Sequence, residues 1–367
     1  MSKQLVFLCA ASDFHAMDWY KSAKTFLKNY EVIILTDLIA GEGYKKLITR
    51  NDTLHRLLVI DKLLFRYQSR IGHSWRHFLK LLVFPIQLAL IKKFSISYPN
   101  ATYFAHSMYY LFLAWAAGVS YVGTPQGSDI LIKPFKCPAY KYFTIKALKA
   151  AKAVTVDSID MKMKIKELSN VDATIIQNGI DIQSIMYFSG VGKDRIGPRE
   201  GILSIRGLSE LYRIETILKS RNYSIRNGNT PITFIYPFYE RQYLKKISPL
   251  FIDNDIDLKT VDRIKMYELL LSTKLVISIP ISDSSPRSVY EAIFCGCAVA
   301  ITNNPYFDLL PKCMRSRVII VDLSDKNWFD TAVEKSDFII RSRFVPSNEA
   351  LRFFDQSESI KIVEKLF

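Results

Sequence analysis

The sequence predicts an α/β protein of two domains, each a parallel sheet covered by helices. Three observations lead there. Short apolar or β-branched runs alternate with longer helical patterns, which is the rhythm of parallel α/β units. That rhythm breaks near residue 190 and then restarts. The 367 residues are too many for one ordinary core and suit two.

In the first half the expected strands are 5–9, 32–35, 57–60, 102–105, 121–123, 153–156 and 173–176. Helical stretches such as 16–27 and 140–151 lie between them. Gly190, Gly192 and Gly197 then fall among polar residues before Pro198, the composition of a linker. The second half gives strands at 202–205, 232–236, 256–258, 275–279, 298–301 and 318–321. At the end, Leu351, Phe354, Ile360, Ile362, Val363 and Leu366 have helical spacing with no strand after them. The expected plan is an N-terminal domain 1–188, a linker 189–200, a C-terminal domain 201–345 and a C-terminal helix 346–367 suited to packing across the junction.

Composition narrows the class. With 49% hydrophobic and 23% charged residues the chain is globular rather than disordered. No run reaches the roughly 18 to 20 apolar residues of a membrane span; the longest candidate, 81–91, is short and contains Pro85 and Gln87. The apolar segment behind Met1 reads as a first strand, being too short for a signal peptide. The cysteines, Cys9, Cys137, Cys295, Cys297 and Cys313, are odd in number and sit in apolar runs, which is no disulfide framework. Cys295 and Cys297 lack a second ligand pair at zinc spacing, so core packing is expected there, without a metal. A reducing cytoplasm fits this usage.

A net charge of +15 calls for an anionic partner: nucleic acid, anionic lipid or phosphorylated small molecules. The charge concentrates in residues 62–93, which hold seven Lys/Arg residues, among them Arg66, Arg70, Arg76 and Lys80, and no acid. Trp75, Phe78, Leu79, Leu82, Val83 and Phe84 are interleaved with them. One reading is a pair of ordinary helices with a charged outer face. The other is a surface that lies on the anionic cytoplasmic leaflet. No nucleic-acid module appears, and the aliphatic residues in the run argue against nucleic acid as partner.

Ligands of open parallel sheets bind beyond the carboxyl ends of the strands. The richest such segment is 282–296, after the strand 275–279. Ser288 is a plausible helix N-cap, and Glu291 three residues on would complete a capping box. The functional alternative has the helix N-terminus facing a diphosphate, with Glu291 accepting hydrogen bonds from ribose hydroxyls.

Asp283 and Glu291, with seven residues between them and followed by Ala292-Ile293-Phe294-Cys295-Gly296, resemble the acidic-x7-Glu signature of glycosyltransferase family 4. Those are retaining enzymes of GT-B fold: two Rossmann-like domains facing across a cleft. The resemblance implies that Glu291 holds the nucleotide ribose, that Asp283 contacts sugar hydroxyls, and that Ser285, Pro286, Arg287 and Ser288 lie along the diphosphate and sugar. Asp283 replaces the commoner Glu, and Ser-Ser-Pro-Arg replaces a Gly-rich loop. Three more segments are similar in order: Gln126-Gly127-Ser128-Asp129-Ile130-Leu131 on the acceptor side, Val156-Asp157-Ser158 and then Gln177-Asn178-Gly179-Ile180-Asp181, and Ile205-Arg206-Gly207-Leu208 with Tyr212-Arg213-Ile214. Arg206 and Arg213 would hold donor phosphates. Gly127 also suits a tight turn, Asn178-Gly179 a turn pair, and Asp129 a helix cap.

The loop after the first strand lacks the Gly-Gly pair of many relatives. Asp13 and His15 in that loop, and His106 after the strand 102–105, are candidates on position to orient or deprotonate an acceptor hydroxyl. With Asp129 and Asp283 they complete the candidate catalytic set. Neither an Asp-x-Asp metal motif in a suitable loop nor a His/carboxylate cluster is evident, so no cofactor and no metal are expected, with cationic side chains and a helix N-terminus stabilising the departing diphosphate. The implied protein is a peripheral enzyme on the inner face of the cell membrane. It takes a nucleotide-sugar donor and a glycan or lipid-linked glycan acceptor, as in surface polysaccharide assembly. The alternative is a sugar- or nucleotide-binding protein of the same fold that has lost catalysis.

Overall fold

The computed structural model describes residues 3–40, 48–65, 70–191 and 198–367. Residues 192–197 of the expected linker and Arg66 of the basic run lie outside them. The chain forms two compact units, Met1–Asn178 with Gln356–Phe367, and Gly179–Asp355. The division therefore precedes the expected linker. The helix Ile182–Val191 occupies the start of the 189–200 stretch and packs Ile182 and Ile185 into the second unit's core.

The first unit is built on seven parallel strands: β1 (Lys3–Leu8), β2 (Tyr30–Thr36), β3 (Thr53–Arg56), β4 (Thr102–His106), β5 (Tyr121–Thr124), β6 (Ala153–Val156) and β7 (Thr174–Ile175). Their order is β3-β2-β1-β4-β5-β6-β7. Strands covered on both faces read as continuous apolar runs, as Leu5–Leu8 and Ile33–Leu35 do. One face carries the helices Arg70–Ser97, Met108–Ala117, Pro138–Ala150 and Ile159–Ser169 over a shared core. The other carries Phe14–Phe26 and Gln356–Glu364, whose Ile360 and Val363 join Trp19 and Phe104.

The second unit has six parallel strands: β8 (Glu200–Ile205), β9 (Ile232–Ile235), β10 (Ile256–Lys259), β11 (Thr273–Ser278), β12 (Ala298–Ile301) and β13 (Val318–Ile320). Their order is β10-β9-β8-β11-β12-β13. Helices Arg263–Ser272, Arg287–Phe294 and Asn348–Phe354 cover one face; Ile214–Tyr223 and Trp328–Ile339 cover the other.

Several expectations change. The third strand is Thr53–Arg56, not 57–60: an edge strand is half exposed and lacks a continuous apolar run, while Leu57 and Ile60 are buried by packing outside it. The C-terminal helix is two helices, Asn348–Phe354 in the second unit and Gln356–Glu364 in the first, broken at Asp355. From Arg70 onward the basic run is one long helix, Arg70–Ser97, which continues through an exposed Pro85.

Lys80 does not face outward as Arg76, Lys92 and Lys93 do. Its Nζ lies 3.5 Å from Asp37 Oδ2 and 4.0 Å from the Tyr109 ring centre. Gln87 and Tyr110 also donate to Asp37. Burial lowers the Lys80 pKa, with Asp37 opposing that shift. A charge taken out of water needs such a partner, so Lys80 fastens the helix to the sheet.

Candidate functional site

In the second unit, β8, β9 and β10 step one way across the sheet, and β11 returns to the other side of β8. A crevice opens where the order reverses, beyond the strand ends. Arg206 leaves the end of β8 there, and the segment 279–288 leaves β11. Arg206 Nε donates to Ser278 Oγ (2.7 Å), and its Nη2 donates to Asp283 Oδ2 (2.7 Å). The guanidinium carbon lies 5.5 Å from the centre of the Tyr212 ring, a cation–π distance. Asn304, from the loop after β12, accepts from the Asp283 backbone N–H at 3.2 Å and donates to Thr302 Oγ1 at 2.9 Å. The Tyr306 phenol is buried and makes no hydrogen bond among the described residues. Burial raises its pKa, while the nearby charges of Arg206 and Asp283 act on it in opposite directions.

Helix Arg287–Phe294 opens directly from this loop. Its N-cap is Pro286, with no side-chain cap, so the Ser288/Glu291 capping box does not form. Proline has φ fixed near the helical value and favours helix starts, which moves the boundary ahead of Ser288. Glu291 is instead on the buried side, 4% exposed, with the Tyr267 hydroxyl 3.5 Å from its Oε1. The far end of this helix is clamped by Arg199, which donates to the carbonyls of Cys295, Leu270 (3.1 Å) and Thr273 (3.1 Å). A cation at helix carboxyl ends opposes their dipoles. Gly296 makes the clamp possible: its φ is +88°, and a Cβ there would stand 2.8 Å from Arg199 Nη2. Cys295 and Cys297 belong to this packing; burial raises the pKa of both thiols, Cys297 to about 12.

The first unit repeats the topology with different chemistry. Its order reverses between β1 and β4. Asp13, after β1, caps the helix Phe14–Phe26: its Oδ1 accepts from the His15 backbone N–H at 3.0 Å. Its Oδ2 accepts from Gln126 Nε2 at 2.8 Å and lies 3.7 Å from His106 Nδ1. Burial lowers the His106 pKa; Asp13 and Asp129 oppose the shift and His15 adds to it. The net direction gives a neutral imidazole at neutral pH, so His106 and Asp13 are neighbours rather than a charged pair. Ser107 follows with φ 74° and ψ 152°, a region that residues other than glycine rarely occupy. Such strain at a switch point marks a place whose geometry the fold imposes.

Asp129 is 3% exposed. It accepts from Met108 N (2.9 Å), Gln126 N (3.3 Å), Lys133 Nζ (2.7 Å) and Tyr140 Oη (3.4 Å). Its acceptor capacity is taken up within the unit, which makes it a positioning residue rather than a catalytic one. Gly127 opens the short helix Gly127–Leu131, followed by Ser128, and has no positive φ, so no tight turn requires it.

The structure thus brings together Arg206 with Asp283, and Asp13 with His106 and Gln126. Arg213 takes the left-handed conformation (φ 53°) before helix Ile214–Tyr223, and its neighbour Tyr212 is the residue that meets Arg206. Ser285, Pro286, Arg287 and Ser288 form the passage from loop to helix. Sequence reasoning missed Ser278, Asn304 and Tyr306, and named Tyr212 within a motif without giving it a role. The first three stand at or just beyond strand ends, where the rule that found Arg206 also applies. Among the described residues no group of three or more His, Cys, Asp or Glu is placed to hold a metal ion.

No protein-family model and no curated protein sequence matches the chain. Solved structures do. HepE from Anabaena in complex with UDP superposes with TM-score 0.68 at 14% identity, covering 100% of this chain and 99% of that one. Sucrose-phosphate synthase from Thermosynechococcus elongatus gives 0.70 at 11%, covering 99% and 98%. The N-terminal domain of Candida albicans trehalose-6-phosphate phosphatase gives 0.68 at 11%, covering 100% and 96%. At these identities the likeness shows the fold, and that fold is GT-B.

Proposed function

We propose that this protein is a retaining glycosyltransferase that moves a sugar from a nucleotide-sugar donor to a glycan acceptor. The observation that carries the proposal is the Arg206–Asp283 pair at the second unit's switch point, with Glu291 on the helix that opens from the same loop. HepE, of the same fold, has been solved with UDP and with UDP-glucose. Arg206 offers a guanidinium to a diphosphate, geometry that suits paired oxygens. As the diphosphate takes Arg206, Asp283 is released to accept from sugar hydroxyls. Glu291 accepts from the ribose hydroxyls, and Arg287 with the helix N-terminus adds positive potential beside the phosphates.

The acceptor hydroxyl attacks the anomeric carbon on the face the leaving group departs from. The bond from that carbon to the diphosphate oxygen breaks, and the diphosphate leaves with the electron pair. The acceptor proton passes to a phosphate oxygen of the leaving group, giving a glycoside and a nucleoside diphosphate. Asp13, His106 and Gln126 orient the acceptor, with His15 at the exposed edge of that group. Arg206 and the helix N-terminus carry the charge of the leaving group, so the transfer proceeds without a metal ion or other cofactor.

The acceptor in this proposal is lipid-linked, as in surface polysaccharide, O-antigen or capsule assembly. The first unit rests on the anionic inner face of the cell membrane through residues 62–93. Among the described residues no helix is long and apolar enough to cross a membrane, so the contact is peripheral. The experiment is incubation with a panel of nucleotide-sugars, following release of nucleoside diphosphate and the anomeric configuration of product or hydrolysed sugar. Release with a retained anomer supports the proposal. Binding without any release would mark a protein of this fold that has lost catalysis, and inversion would remove the stated mechanism.

A further inference from the structure

The sequence places the basic, apolar surface in residues 62–93. The structure gives that surface a second half. Between Asp61 and Asp157 the only acidic residue is Asp129, which is buried and bonded to Lys133. This stretch supplies three neighbouring helices, none of which carries an acid, on one face of the first unit's sheet: Arg70–Ser97, Met108–Ala117 and Pro138–Ala150. They form a continuous outer layer. Phe84 meets Tyr109 with ring centres 6.1 Å apart, Phe112 meets Tyr140 at 5.4 Å, and Trp115 meets Phe143 at 6.1 Å.

Both outer helices of this layer expose large apolar side chains. On Arg70–Ser97 these include Leu81 (72% exposed), Leu82 (57%) and Ile86 (53%). Around Pro138–Ala150 they are Phe135 (50%), Tyr142 (56%) and Phe143 (45%). Exposed cations stand beside each group: Arg76, Lys92 and Lys93 on the first helix; Lys141 and Lys149 on the second, with Lys136 just ahead of it. An apolar patch of this kind on a water-soluble face marks an interaction site.

We infer that the helices Arg70–Ser97 and Pro138–Ala150 together form a two-part docking surface for an anionic lipid bilayer, with Phe135, Tyr142 and Phe143 entering the interface. The inference rests on the membrane reading above and extends it to residues outside 62–93. Charge selects the occupant. A second copy docked through a two-fold axis would set this surface against itself, facing unopposed cations with the same cations. Nucleic acid would pair with the lysines but leave Leu81, Leu82, Ile86 and Phe143 against phosphate and water. An anionic bilayer satisfies both kinds of side chain: headgroups take the cations, and the acyl boundary takes the apolar tips.

The test is flotation with vesicles of phosphatidylcholine, alone or with a fraction of phosphatidylglycerol, at low and high salt. Three variants are compared with the wild-type chain: Leu81→Gln/Leu82→Gln/Ile86→Gln; Phe135→Gln/Tyr142→Gln/Phe143→Gln; and Lys136→Ser/Lys141→Ser/Lys149→Ser. All nine positions are exposed, and thermal melting checks that each variant folds. The wild-type chain should float with anionic vesicles, and added salt should release it. Both variants of the second helix should lose about tenfold or more in vesicle affinity. If both bind like the wild-type chain while the Leu81/Leu82/Ile86 variant does not, the two-part surface is overturned and the membrane reading through 62–93 stands. If the wild-type chain ignores anionic vesicles, both fall.

Discussion

The two units share one topology and place opposite chemistry at their switch points. In the second unit the crevice holds a guanidinium, a carboxylate paired to it, and two tyrosines within reach of both charges. The first unit's crevice holds a carboxylate beside a buried neutral imidazole and an amide. A guanidinium suits a diphosphate; a carboxylate next to a neutral imidazole suits a hydroxyl that must be oriented or relieved of a proton. The scaffold thus repeats one position beyond its strand ends, and the residues after each strand give that position its chemistry.

The largest expected effect separates the two crevices by ligand. Arg206→Ala and Glu291→Gln should each remove a charge-assisted hydrogen bond worth about 1.5 to 3 kcal/mol, about ten- to a hundred-fold in nucleotide-sugar affinity. Asp13→Asn should leave that affinity nearly unchanged and lower turnover instead. Calorimetric titration of the three variants checks this; equal losses in all would erase the distinction.

Next in size is Gly296→Ala. The positive φ and the 2.8 Å approach to Arg199 Nη2 should cost about 1 to 3 kcal/mol of stability, read as a lowered melting temperature. Because Arg199 clamps the end of the helix bearing Glu291, nucleotide-sugar affinity should fall as well. Normal affinity in a folded Gly296→Ala protein would show that the clamp plays no part in the site.

A smaller effect belongs to the first unit and follows pH. Burial holds the His106 pKa below its usual 6.5, so around and just below that pH the unfolded chain binds more protons than the folded one. Stability should therefore fall as pH drops from neutral through 6.5, and the loss should level off below the folded pKa. Melting temperatures at pH 7.5 and pH 5.5 should differ less in His106→Gln than in the wild-type chain. Asp13→Asn removes a charge that raises this pKa and should lower it further in a histidine NMR titration. Upward movement would contradict the pairing. The smallest expected effect is that of EDTA, which should leave turnover unchanged; loss of turnover restored by Mg²⁺ would assign the leaving-group charge to a metal.

Much of this was legible because parallel strands buried on both faces advertise themselves as apolar runs. The runs at 5–9, 32–35 and 298–301 correspond to β1, β2 and β12. The edge strand β3 carries no such run and was displaced onto 57–60. Arg206, Asp283 and Glu291 could be picked out because they follow strands at readable spacings. Their partners were harder: Asn304 and Tyr306 reach the crevice from after β12, and no local pattern tells a loop residue that turns inward from one that turns out. Lys80 shows the same limit, since its burial depends on Asp37, forty-three positions earlier in the chain. The division at Gly179 carries no glycine-proline signal of its own, because it is set by helix Ile182–Val191 packing Ile182 and Ile185 into the second unit's core.

The most direct test of the account is a thermal-shift screen of UDP-, GDP- and ADP-sugars against the wild-type chain, Arg206→Ala and Glu291→Gln. The account predicts that one nucleotide class raises the wild-type melting temperature, that its diphosphate form does so more than the bare nucleoside, and that Arg206→Ala abolishes that difference. Stabilisation by no nucleotide-sugar, or equal stabilisation of all three proteins, would contradict a donor site at Arg206, Asp283 and Glu291.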